Sequence, residues 1–172
     1  MTSQCWDAGQ AHAYHEFQYH IPEKTLAGKT IIVAGGTGGF GAATVASLAR
    51  ESAHLVVGYR ANRERAEPLR HAIECTYGCR ISLVAGGVGA AEVREAYLAA
   101  AQKTAAPLAG VAIFPGDAAR VPFESLNSET LLAPLESNEV GPILPAKECG
   151  AAMDSGVFSR TRQLRYRPGH RR

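Results

Sequence analysis

Five of the seven residues from Gly35 to Gly41 are glycine, in the run Ala34-Gly35-Gly36-Thr37-Gly38-Gly39-Phe40-Gly41. Residues this small let the backbone approach a bulky anion, and a turn that opens a helix adds unpaired N–H donors and a partial positive charge. The chemistry implied is recognition of a diphosphate by main-chain amides, with Gly35, Thr37, Gly38, Gly39, Phe40 and Gly41 as the contact residues. A glycine turn without a ligand is the plain alternative, but ordering five glycines has an entropic cost that binding would offset. A phosphoryl-transferring P-loop would end in Gly-Lys-Ser/Thr, and this run contains no lysine.

A second signal follows at Gly58-Tyr59-Arg60. An acid here in a dinucleotide site would bind the ribose hydroxyls, whereas an arginine accommodates a 2′-phosphate. With no carboxylate to repel that phosphate and a guanidinium to grip it through two donors, NADP is expected over NAD. Arg60 is the expected contact, with Tyr59 beside it and Arg63 as a second cation.

These residues need elements to position them. Thr30–Ala34 is a β-branched run between glycines, as in a strand buried on both faces. After the glycine turn, residues 40–51 set Phe40, Ala43, Val45, Leu48 and Ala49 on a helical stripe. The pattern repeats: strand His54–Gly58, helix Arg63–Cys75, strand Arg80–Ala85, helix Ala91–Gln102, strand Ala109–Phe114. A helix over Ser128–Met153 follows, which Pro134, Pro142 and Pro145 must bend or divide. Strands alternating with helices give an α/β fold with a parallel sheet wound by right-handed crossovers.

Together these residues resemble the short-chain dehydrogenase/reductase family. Its Thr-Gly-x-x-x-Gly-x-Gly turn is met by Ala34, Gly35, Gly39 and Gly41, with alanine for threonine. The resemblance covers residues 27–153 and implies a Rossmann-like doubly wound sheet of about four strands, incomplete at the C-terminal side. It further implies hydride transfer to or from a small carbonyl or alcohol. The family's Asn-Asn-Ala-Gly falls on Ile113-Phe114-Pro115-Gly116, where only Gly116 is kept. The acid it places after the third strand falls on Gly87, followed by the expected Val88. Its Asn-x-x-Gly is met by Asn138-Glu139-Val140-Gly141, so Asn138 corresponds to the residue holding a proton-relay water. The helix around Asn138–Met153 corresponds to a common dimer surface, which makes a homo-oligomer the expectation. The family's catalytic Ser and Tyr-x-x-x-Lys are missing: four positions before the lysines Lys24, Lys29, Lys103 and Lys147 stand His20, Thr25, Ala99 and Ile143. Tyr166 and His170 are separated by Pro168 and Gly169, which break any helix aligning them. Ser155 and Ser159 are assigned to the tail.

Composition sets the limits. With 172 residues, 46% hydrophobic and 20% charged, the chain suits one globular domain. No stretch reaches the roughly 18 apolar residues of a membrane span, and no secretory signal opens the chain, so a cytoplasmic place is expected. Cys5, Cys75, Cys79 and Cys149 have no paired CxxC spacing, and reduced thiols follow. Residues 1–26 form an arm whose His12, His15 and His20 lack a fourth ligand at a recognised spacing, so no metal is expected.

The net charge of +2 is uneven. Residues 160–172 hold six arginines and no acid, leaving twelve basic residues against all sixteen acids in the rest. Residues 154–172 are expected to be a basic disordered tail, from a truncated or frame-shifted end, leaving the fourth strand as an exposed edge prone to association. With one aromatic among the six arginines, nucleic-acid binding is not the expectation. Three functions stand: an NADP-linked oxidoreductase scaffold inactive as this chain, a non-catalytic dinucleotide-binding or partner-docking module, and a nonfunctional fragment.

Overall fold

A computed structural model describes residues 24–114, 121–154 and 157–160. The first strand, β1 (Thr30–Ala34), is buried along its whole length, as its unbroken apolar run requires. Successive side chains leave a strand on opposite faces. Ile31 and Val33 accordingly join Leu55, Val57 and Ile81 on one side of the sheet, and Ile32 and Ala34 join Val56, Val84, Val111 and Ile113 on the other.

Four further strands complete the sheet: β2 (His54–Tyr59), β3 (Ile81–Ala85), β4 (Leu108–Ile113) and β5 (Val157–Arg160). The order is β3-β2-β1-β4-β5, with every pair parallel. Helices α1 (Gly39–Arg50) and α2 (Arg63–Tyr77) cover the first face through Val45, Ala49 and Ile73. Helix α3 (Ala91–Gln102) returns the chain across the sheet and covers the second face with Val93, Tyr97 and Ala101. The strand order therefore reverses between β1 and β4, where α/β sheets open a crevice at the carboxyl ends of their strands.

The doubly wound sheet is as expected, with three adjustments. On α1 the buried face is Gly41, Val45 and Ala49, and Phe40 is 81% exposed. At 100° per residue Phe40 stands about 140° from Val45, so the stripe could not hold both, and Ala43 likewise faces out. The helix beyond β4 is divided, as its prolines require: α4 (Ser128–Leu135), a π turn (Glu136–Val140) and α5 (Gly141–Ala151). Pro142 sits in the first turn of α5, directly after the π turn.

The third adjustment is a correction. Residues Val157–Arg160, expected within a structureless tail, form β5 and pair with β4 from Gly110↔Val157 to Ile113↔Arg160. Strand β4 is thus internal, not an edge, and Val111–Ile113 are buried. Four residues are too few to show a period, and the surrounding arginines mask the β-forming Val157 and Phe158. The arm with His12, His15 and His20, together with Gly116, Ser155, Tyr166 and His170, lies outside the described residues. Among the described residues no helix is long and apolar enough to cross a membrane, and no three metal-ligating side chains gather.

Candidate functional site

Beyond Ala34 the chain turns at Gly35 with φ +73°, a left-handed conformation that side chains resist. A Cβ there would also overlap the carbonyl oxygen of Phe114, directly after β4. The Gly36 N–H donates to the Gly58 carbonyl at 2.9 Å, fastening the turn to the end of β2, and a Cβ on Gly36 would lie 2.6 Å from Val57 Cγ1. On α1, a Cβ at Gly41 would overlap the Gly35 carbonyl oxygen and come within 2.8 Å of Gly36 Cα. The fold itself requires these three glycines.

Gly38 and Gly39 have no such reason. A Cβ on Gly38 meets nothing nearer than the Gly35 oxygen at 3.5 Å, and one on Gly39 meets nothing within 4 Å. Neither residue has a positive φ. What a side chain at Gly39 would fill is the open approach to the start of α1. There the N–H groups of Gly39, Phe40 and Gly41 have no acceptor among the described residues, the first helical bond being Ala42 N–H to the Gly38 carbonyl at 2.8 Å. The N-cap, Gly38, offers no side-chain acceptor. Helix α2 differs, because Asn62 Oδ1 caps it by accepting from the Arg65 N–H at 2.9 Å.

Tyr59 ends β2 buried, and its carbonyl accepts from the Gly86 N–H at 2.8 Å, joining the ends of β2 and β3. Arg60 follows, exposed and without an ion pair among the described residues. Arg63 is placed otherwise: its Nη2 lies 3.2 Å from Glu67 Oε1, one turn along the surface of α2. Half-buried Val88, in the β3–α3 turn, lies beside the start of α5, its Cγ2 3.6 Å from where a Cβ on Gly141 would stand. Asn138 is half-buried on the π turn that leads into Gly141. The structure thus gathers the glycine turn, Tyr59, Arg60, Val88 and Asn138 along the carboxyl side of the sheet, and leaves Arg63 turned to its own helix.

Two supporting residues escape sequence reasoning. Arg94 on α3 donates from Nε to both Glu148 oxygens at 2.9 Å and from Nη1 to the Gly89 carbonyl at 2.6 Å. It clamps α3, α5 and the β3–α3 turn together, across a separation of 54 residues that no local pattern reveals. Tyr97 packs its ring end directly against Gly58, which explains the glycine inside β2.

The displaced pKa values lie in the core, not the crevice. Burial raises the Tyr97 hydroxyl, with the nearby Cys149 adding to it, and burial with Glu148 pushes the Cys149 thiol up to about 12. Cys79 is raised by burial as well. Each is a neutral packing group at physiological pH, so the crevice offers amide donors and a cation, suited to holding an anion.

The KR domain family matches residues 29–139. Among solved structures, a short-chain dehydrogenase/reductase from Serratia marcescens is 26% identical, with a TM-score of 0.71, over 78% of this chain and 55% of that one. A dehydrogenase/reductase from Sinorhizobium meliloti is 25% identical, with a TM-score of 0.73, over 80% of this chain and 55% of that one. The L-sorbose reductase of Gluconobacter frateurii, solved with NADPH and L-sorbose, shares the fold at 18% identity and a TM-score of 0.72, over 81% of this chain and 54% of that one. The chain spans little more than half the length of these structures. No curated protein matches. A family match across well over half the sequence, on a sheet wound like those of these reductases, makes the chain a member of the KR domain family, with the short-chain dehydrogenase/reductase fold.

Proposed function

We propose that this chain binds NADP(H), its diphosphate on the N–H groups of Gly39, Phe40 and Gly41 and its 2′-phosphate on Arg60, and that by itself it turns over no substrate. The observation that carries this reading is Gly39, where the fold leaves room for a side chain and the sequence has none. Amides at a helix start and a guanidinium at the end of β2, neither with a partner among the described residues, suit two phosphate groups. The NADPH held by the L-sorbose reductase, a protein of like fold, supports the same choice.

When bound, the nicotinamide would exchange a hydride with a carbonyl or alcohol carbon. Around it Thr37, Gly38 and Tyr59 would shape the walls, Val88 would pack on the adenosine side, and Asn138 would hold a relay water. Gly116, three residues past the end of β4 in the sequence, keeps its place in this reading as a cofactor contact, and Arg63 would assist Arg60 after leaving Glu67. No Tyr-x-x-x-Lys occurs in the 172 residues. Positioned acid–base help, worth about a hundred- to ten-thousand-fold, is therefore missing, which favours a dinucleotide-binding module over a working enzyme. Leu131, Leu132, Leu135 and Ile143, all exposed on α4 and α5, provide an apolar surface for association of copies, and a cytoplasmic place belongs to the same reading.

Calorimetric titration with NADP and NAD, followed by an assay of NADPH oxidation with a panel of carbonyl compounds, tests this. Binding with a preference for NADP and no turnover is expected. Failure to bind either dinucleotide removes the reading, and turnover removes its claim of inactivity.

A further inference from the structure

The geometry points to half of a zinc site on the outer face of α2, made by His71 and Cys75 and completed to four ligands by the same pair from a second copy of this chain. Both side chains are exposed, and the Cys75 sulfur lies 3.7 Å from His71 Nε2 and 3.9 Å from Nδ1. They stand at i and i+4, the spacing at which one helix face presents two zinc ligands. With zinc–sulfur and zinc–nitrogen bonds of about 2.3 and 2.0 Å, the sulfur–nitrogen edge of a tetrahedron is about 3.5 Å. The pair already holds two corners close to that separation.

Polar neighbours on the helix are committed elsewhere. Glu67, one turn before His71, is held by Arg63 and Arg70 at 3.2 and 2.8 Å. Glu74 accepts from the Ile81 N–H at 2.8 Å, and the Thr76 hydroxyl donates to the Ala72 carbonyl at 2.7 Å. Among the described residues no third His, Cys, Asp or Glu joins the pair. Zinc in a closed site takes four ligands, so one chain leaves two positions open.

A second copy can fill them. Pro68, Ala72 and Thr76, exposed beside the pair, are short, so another helix can come close enough to bring its own His71 and Cys75 to the same ion. A two-fold axis through the metal makes the contact isologous, each copy giving one nitrogen and one sulfur, and two Cys with two His form a closed structural set. On binding, each Cys75 gives up its thiol proton to solvent and each His71 ligates as the neutral imidazole. The pair lies about 12 to 18 Å further along α2 than Arg63, so the inference stands apart from the dinucleotide reading.

The test is zinc titration of the full chain under a phosphine reductant, with mass measured by light scattering after size exclusion, on the wild type, His71→Ala and Cys75→Ser. The wild type is expected to take up about one zinc per two chains and to double its zinc-free mass, and a chelator should reverse both. Each variant is expected to keep its melting temperature and lose both responses. Cobalt in place of zinc should give thiolate-to-metal charge-transfer absorption in the wild type and none in Cys75→Ser. One zinc per chain with no change in mass overturns the inference, since the second copy then supplies no ligand. Uptake and doubling that persist in the two variants put the metal on other residues and overturn it as well, as does a wild type that takes up no zinc.

Discussion

The two ends of the sheet treat their polar groups in opposite ways. At the amino end, Thr30 is fully buried, its hydroxyl bonded to that of Thr104 and to the Ala106 carbonyl at 3.1 Å, while its N–H donates to the Pro107 carbonyl at 2.8 Å. The His54 N–H donates to the Lys29 carbonyl and the Leu55 N–H to that of Arg80. At the carboxyl end, the turns after β1 and β3 leave N–H groups unpaired among the described residues, and Arg60 makes no ion pair among them. Buried polar groups left without partners are costly, so an end that closes on itself serves stability. An end that keeps donors at the surface can spend them on a ligand.

The largest effect should come from the glycine that belongs to the fold. Gly41→Val drives a side chain into the Gly35–Gly36 backbone and is expected to cost about 3 kcal/mol or more in urea unfolding, with loss of dinucleotide binding. Gly39→Ala separates the two roles: stability stays within about 1 kcal/mol, while affinity for NADP falls at least about tenfold. If Gly39→Ala bound NADP like the wild type, the open space there would have no function.

Arg60→Ala comes next. The expected loss is about ten- to a hundredfold for NADP in calorimetry, with NAD affinity and the melting temperature unchanged. An equal loss for both dinucleotides would take the guanidinium off the 2′-phosphate. The smallest effect lies at the amino end. Thr30→Val should cost about 1 kcal/mol in the same unfolding experiment and leave binding untouched, since Thr104 retains its bond to the Ala101 carbonyl at 2.7 Å. A change in NADP affinity in this variant would show the two ends to be coupled.

Much of this was legible from composition and order. β1, the glycine turn and α3 stand where the apolar runs and small residues place them, because a doubly buried strand and a close-approach turn leave strong local marks. Less visible were effects that depend on distant partners. Phe40 looked like core until the buried line through Gly41, Val45 and Ala49 was set by its packing on β1 and β2. Arg63 stands in the sequence as a second cation for the ligand, but its i,i+4 partner Glu67 competes with any ligand and holds it on the surface of α2. β5 escaped notice because a strand of four residues takes its identity from the β4 edge that it joins. Val88 comes beside Gly141, three residues past Asn138, where the Arg94–Glu148 clamp ties α3 to α5, and the clamp's members lie far apart in sequence.

Backbone amide NMR during NADP addition tests directly whether main-chain amides at the start of α1 receive the diphosphate. Saturable shifts are expected at Gly39, Phe40 and Gly41, with Lys29 and Thr30 at the opposite end of β1 unmoved. Saturable binding that left the three amides at α1 unshifted would contradict that placement of the diphosphate.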